Sequence, residues 1–197
     1  KKLVQRGKIG ELRTIVGNAL SLPPGKHSVA AAGGGPLFHD GTHLTDLFLF
    51  FGGPVAWVSG WDRRTHGRGN IEETAAAMLQ FKSGALGFLE GGGARNYFNF
   101  ELDLQGSKGR ILIGNAGREL HLTRRSRRFS GFQELEPAPF PSPRRHESPF
   151  TGAARDLVAC VRRGTPSQSG GEDGRRALKL ILAVYASARQ NGKRVRL

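Results

Sequence analysis

The order of elements predicts an α+β fold: one strand, one helix, at least six strands in series, then two helices. Two observations carry this. The strand-like stretches follow one another through short turns such as Lys82-Ser83-Gly84 and Gly106-Ser107-Lys108-Gly109, which suits a largely antiparallel sheet. Phe98, Phe100, Leu102 and Leu104 alternate with Asn99, Glu101, Asp103 and Gln105, a period of two with one buried and one polar face.

Lys1 to Gly7 read as the last turn of a helix closed by glycine. A domain rarely opens on such a turn, and the sequence has neither an initiator Met nor a signal-peptide stretch, so it is expected to be a piece of a longer chain. Residues 11–20 carry β-branched residues in mid-run and read as a strand. Residues 21–35 form a long Pro-, Gly- and Ala-rich loop. From Pro36 to Phe51 the pattern is helical, with Leu37, Leu44, Leu47, Phe48 and Phe51 as the apolar stripe and Gly52-Gly53-Pro54 as the stop. Strands are predicted at 55–60, 74–81, 85–89, 98–104, 110–113 and 119–123, and residues 124–149 read as irregular. The closing helices are 150–163, with Ala153, Leu157 and Val161 in phase, and 171–190, with Leu178, Ile181, Leu182 and Tyr185. Gly192 then stops the helix, and Val195–Leu197 offer an edge strand.

Composition narrows the classes. The 197 residues suit one domain with one core. Glycine, at 29, is about twice its usual share but has no period, which excludes collagen. No apolar run approaches the roughly 20 residues of a membrane span, so no membrane partner is expected. The single Cys160 excludes an intrachain disulfide, fits a reducing, cytoplasmic setting, and is expected to pack on the core side of its helix. The net charge is +14, of which +4 falls in residues 1–98 and +10 in 99–197. The arginine pairs of the second half lack a recognition helix or interleaved aromatics, so they read as solvated surface and no nucleic acid is expected.

The chemistry concentrates in Gly33-Gly34-Gly35-Pro36-Leu37-Phe38-His39-Asp40-Gly41-Thr42-His43-Leu44-Thr45-Asp46. His39, His43 and Asp46 fall on one helical face at i, i+4 and i+7, and histidines beside carboxylates suit proton transfer near neutral pH. A plainer reading stands beside this one: Asp40 caps the helix and the histidines are surface groups. Two histidines at i and i+4 can bind zinc, but no third ligand is evident, so no metal is expected. Arg95 and Tyr97, after Gly91-Gly92-Gly93, could line a pocket for a small polar ligand. Neither glycine run, 91–93 or 114–117, has the spacing of a dinucleotide-binding loop.

The segment Gly34–Asp46 resembles the G-G-x-L-x-D-x-G-x-H-x-x-D stretch of Gfo/Idh/MocA oxidoreductases, NAD(P)-dependent sugar and polyol dehydrogenases. Gly7–Leu12 is similar to that family's lead into its second domain, Gly106–Arg110 to its G-[ST]-x-G hairpin, and Gly171–Arg175 with Tyr185–Ala188 and Val195 to its last helix and strand. The resemblance implies that residues 1–197 form the C-terminal substrate-binding and oligomerisation domain, an open sheet with helices on one face. The cofactor, NAD or NADP, would be held mainly by an N-terminal Rossmann domain outside this chain. It implies a sugar or polyol substrate, a homo-oligomer through the open sheet, and His43 as the acid/base or substrate-hydroxyl partner. The family's usual aspartate position is His39 here, with Asp40 beside it, and either would orient His43. Asp46, Arg95 and Tyr97 are the expected substrate contacts. A non-catalytic oligomerisation domain and a basic polyanion-binding module are the rival readings.

Overall fold

The computed structural model describes residues 1–21, 34–64, 71–93, 95–140 and 148–197. Its elements are α1 (Lys2–Gln5), β1 (Leu12–Leu20), α2 (Gly41–Gly52), β2 (Val55–Arg64), β3 (Glu72–Phe81), β4 (Leu86–Gly92), β5 (Asn99–Gly106), β6 (Arg110–Gly114), β7 (Glu119–Arg125), β8 (Gln133–Pro137), α3 (Pro149–Arg163), α4 (Gly171–Ala188) and β9 (Val195–Arg196). The strands form one open sheet in the order β8-β7-β6-β5-β1-β4-β3-β2-β9. Among the described strands only β1 and β4 run parallel; every other neighbouring pair is antiparallel. The α+β class and the largely antiparallel open sheet therefore agree with the sequence.

The opening turn is a helix end of the kind the sequence suggests. Gly7 is left-handed at φ 73°, and Gly7 and Lys8 donate their N–H groups to Val4 and Leu3. On one sheet face Ile15, Leu79, Leu89, Leu102, Leu104, Ile111 and Leu120 are buried, the last three beside Leu3, Val4, Phe51 and Phe140. α2 buries Leu44, Thr45 and Phe48 over β1 and β4. α4 buries Leu180, Ile181 and Val184 over β2, where a Cβ on Gly60 would lie 2.8 Å from Val184. The Gly60 N–H donates to the Ser187 hydroxyl, which in turn donates to Lys193 O.

The opposite face carries Val16, Met78, Phe88 and Glu90, the partners in register on β1, β3 and β4. It also holds Asp103, buried although the alternation of β5 places it on the polar face. Arg110 satisfies it there: its Nε and Nη2 donate to the two Asp103 oxygens at 2.7 Å each.

Four expectations are corrected. Residues 36–40 are turns, and the helix begins at Gly41 rather than Pro36. Phe98 precedes β5 and is 64% exposed. The irregular stretch conceals β8, which pairs with β7 despite its proline; Pro137 is tolerated because β8 is an edge strand. Helix α3 buries none of its described residues: Leu157 and Val161 face outward, and Cys160 is half-buried rather than core-packed. Polar bonds tie α3 to the segment that follows it. Asp156 accepts from Ser167 Oγ and from the Gln168 N–H, and these bonds hold its carboxyl below the usual aspartate range.

Candidate active site

The C-terminal ends of the parallel pair β1 and β4 meet the start of α2. Ser21, just past β1, donates its N–H to Gly92 O and accepts from the Arg95 N–H. Its hydroxyl donates to Asp40 Oδ2 at 3.0 Å. Asp40 Oδ1 lies 2.9 Å from His39 Nδ1. A carboxylate can only accept, so Nδ1 carries a proton here, and in the neutral ring Nε2 is then the nitrogen with the free lone pair. The His39 side chain is 66% exposed. Asp40 has helical dihedrals and makes no capping bond, so the helix-capping reading is corrected. Its two oxygens are taken by His39 and Ser21 instead.

The turn that presents this pair is closely tied. Phe38 and His39 both donate N–H to Gly35 O, Gly41 donates to Pro36 O, and Thr42 Oγ1 donates to Phe38 O. His43 lies exposed one turn beyond His39. Asp46 follows, half-buried; its carboxyl is pushed above the usual aspartate range by burial and by Asp173 at the start of α4, while His43 pulls it down. An acid whose pKa is raised by folding favours the protonated native state. Its contribution to stability is therefore greatest below the unfolded value and is lost as pH rises through the folded one. Asp46→Asn is expected to raise the unfolding midpoint at neutral pH and to leave it unchanged in strong acid, as thermal melts across pH would read. A lower midpoint at neutral pH would mean that attraction to His43 outweighs burial and the Asp173 charge.

The remaining predicted residues follow the end of β4. Arg95 turns its guanidinium onto Glu90 at 2.9 Å, on the sheet face opposite α2. Tyr97, two residues on, is 52% exposed. Among the described residues no group of three or more His, Cys, Asp and Glu is placed to hold a metal, and no helix is long and apolar enough to cross a membrane. Several arginines of the basic half lie against carboxylates: Arg124 on Glu136, Arg128 on Glu134, and Arg175 and Arg176 on Glu172. The last two hold the Glu172 carboxyl down at about 2.

Glu72 at the start of β3 is a polar group that sequence reasoning missed. It is 4% exposed, and its Oε1 accepts from the Leu37 N–H at 3.1 Å and the Tyr185 hydroxyl at 2.6 Å. Alternation back from Ala75 would bury Glu73. The register shift opposite Arg63 and Arg64 makes Glu73 the extra residue and turns Glu72 inward. No local signal in the sequence announces such a bulge.

The open α+β sheet thus carries a histidine–aspartate pair near the ends of its parallel strands. The sequence model of the GFO/IDH/MocA C-terminal domain matches residues 1–112, more than half of the chain, and the chain belongs to that family of oxidoreductases. Comparison with curated proteins gives no match. Among solved structures, the chain is similar over its whole length to the WlbA dehydrogenase of Bordetella pertussis in complex with NADH and UDP-GlcNAcA, at 22% identity and a TM-score of 0.77. It is similar to the aldose-aldose oxidoreductase of Caulobacter crescentus complexed with glycerol (24%, 0.83) and to a levoglucosan dehydrogenase in complex with NADH and levoglucosan (19%, 0.83), again over its whole length. It spans 59%, 58% and 62% of those three chains.

Proposed function

We propose that this chain is the substrate-binding and catalytic half of a cytoplasmic oxidoreductase that moves a hydride between NAD(P) and a hydroxyl-bearing carbon of a sugar or cyclic polyol. The observation that carries the reading is the relay from Ser21 through Asp40 to His39, ending on Nε2. When bound, NAD(P) supplies the hydride acceptor. The described residues suit the reacting end of such a site and offer no cradle for its phosphates: Gly91 and Gly92 lie inside β4, and residues 114–117 join two antiparallel strands. The phosphates are assigned to a part of the protein outside these residues.

In this reading His39 Nε2 takes the proton of the substrate hydroxyl. Asp40 holds the Nδ1–H and stabilises the imidazolium that forms, and Ser21 fixes the aspartate. The sequence favours His43 as the acid/base, but Asp40 engages His39. His43, one turn along and without a hydrogen-bond partner among the described residues, is assigned to a second substrate hydroxyl, with Asp46 and Tyr97 as further contacts. Arg95 is assigned to bracing Ser21 through its backbone. The face bearing Val16, Met78 and Phe88 is assigned to contact between copies. The test is the intact parent protein with NAD⁺ or NADP⁺ and a panel of aldoses, cyclic polyols and primary alcohols. Reduced nicotinamide should appear with the sugars and polyols. No turnover with either cofactor across the panel would overturn the reading and favour a non-catalytic domain.

A further inference from the structure

We infer that Glu72 and Tyr185 are positioning residues that set the His39–Asp40 pair by clamping the Gly35–Leu37 turn from beneath. The three segments involved are far apart in sequence and meet at one carboxylate oxygen. Glu72 Oε1 accepts from the Leu37 N–H and from the Tyr185 hydroxyl. The same hydroxyl receives a backbone hydrogen bond from Gly35. Gly35 is thus pinned on its N–H side by Tyr185, and its carbonyl accepts the N–H of His39. One short path leads from the buried carboxylate to the backbone of the histidine that meets substrate.

The packing leaves no slack in this clamp. A Cβ on Gly35 would lie 2.0 Å from the Glu72 carboxylate, so only glycine lets the acid approach the turn. Burial and the Glu72 charge hold the Tyr185 hydroxyl protonated far above the tyrosine range, so it remains a donor throughout the working pH. Arg64, paired with Asp62 at 2.7 Å, lies close enough for its charge to act on both Glu72 and Tyr185, which compensates the buried carboxylate. A carboxylate this buried would be costly for a role that an apolar side chain could fill. Its satisfied acceptor geometry points to fixing a backbone turn.

The inference rests on the reading of His39 as the proton carrier, and the experiment separates the two. Tyr185→Phe, Glu72→Ala, Glu72→Gln and Gly35→Ala are made in the intact parent enzyme. Each is read by kcat, KM, the pH profile of kcat, the unfolding midpoint and the NMR titration of the His39 ring. Tyr185→Phe, Glu72→Ala and Gly35→Ala are expected to lower kcat by about 10- to 100-fold with KM nearly unchanged, because a displacement of about an ångström at a reacting group costs that much. They should also shift the His39 titration and the acidic limb of the pH profile together. Glu72→Gln, which keeps an acceptor oxygen for Leu37 and Tyr185, should recover most of the rate. A variant that is folded yet leaves the His39 titration and kcat as in the wild type overturns the inference. So does a loss of kcat that tracks the unfolding midpoint alone with the His39 titration unmoved. If His39→Ala retains turnover, the proton-transfer reading fails, whereas the NMR titration still reports whether Glu72 and Tyr185 hold the ring in place.

Discussion

Replacing His39 by alanine in the intact parent protein is expected to lower kcat of the proposed reaction by about 10²- to 10⁴-fold, the range for losing a positioned general base. The unfolding midpoint should hardly move, because most of the side chain is exposed and its one ionic partner is itself partly solvated. Asp40→Asn separates proton transfer from simple contact. Both Asp40 oxygens accept, one from His39 and one from Ser21. An asparagine has one acceptor and one donor end: with its oxygen on Nδ1–H its N–H₂ can still donate to the Ser21 hydroxyl, and turned the other way it forces the other imidazole tautomer, but in both poses the negative charge beside the ring is lost. Either way the carboxylate that would stabilise the imidazolium is gone, and kcat is expected to fall while KM changes little. His43→Ala should show the complementary pattern, a raised KM with a smaller loss of kcat. Steady-state kinetics on the three variants decide the assignment. Full turnover in His39→Ala with turnover abolished in His43→Ala would return the acid/base role to His43.

That adjacency shows where sequence reasoning reached its limit. The helical period put His39, His43 and Asp46 on one face and set Asp40 aside, which holds for a regular helix. Residues 36–40 are turns, however, and there neighbouring side chains can meet: Asp40 joins His39 at one step and Ser21 across 19 residues. The glycine cluster signalled a close approach, but not that its partner was the carboxylate of Glu72, because that depends on a bulge in β3.

The fold was more legible, since it depends on pattern rather than on single contacts. Turn residues and alternation located β3, β4 and β5, and the helical stripes located α2 and α4. β8 was hidden by its charges and its proline, which an edge strand tolerates because one row of its backbone groups meets solvent. The stripe of α3 was read correctly as helical and wrongly as buried. Periodicity reports that a helix has an apolar face, and whether anything covers that face is a tertiary fact. Leu157 and Val161 are 64% and 77% exposed.

Phe48→Ala is expected to destabilise the domain by about 3–5 kcal/mol, toward the upper end of that range. Phe48 is fully buried in mid-α2 and its ring lies over two glycines, Gly17 on β1 and Gly87 on β4. A Cβ on Gly17 would sit 2.8 Å from Phe48 Cε2, and one on Gly87 would sit 3.1 Å from Cε1. The ring thus fills a hole left where two parallel strands carry no side chain. Once it is removed, the glycines have nothing to swing into the gap, so the cavity stays open. Gly17→Ala alone meets Phe48 and Leu44 at 2.8 and 2.7 Å and should cost about 1–3 kcal/mol by overpacking. In the Phe48→Ala background the same methyl enters vacated space, leaving the mobile end of Leu44 to displace and the Glu101 carbonyl oxygen, 3.2 Å away, to accommodate. The double variant should therefore be more stable than the sum of the singles by about 1 kcal/mol or more, as chemical denaturation of all four proteins would measure. Additivity within about 0.5 kcal/mol would mean that α2 shifts bodily when Phe48 is truncated, and that the glycines are there for the strand backbone rather than for the ring.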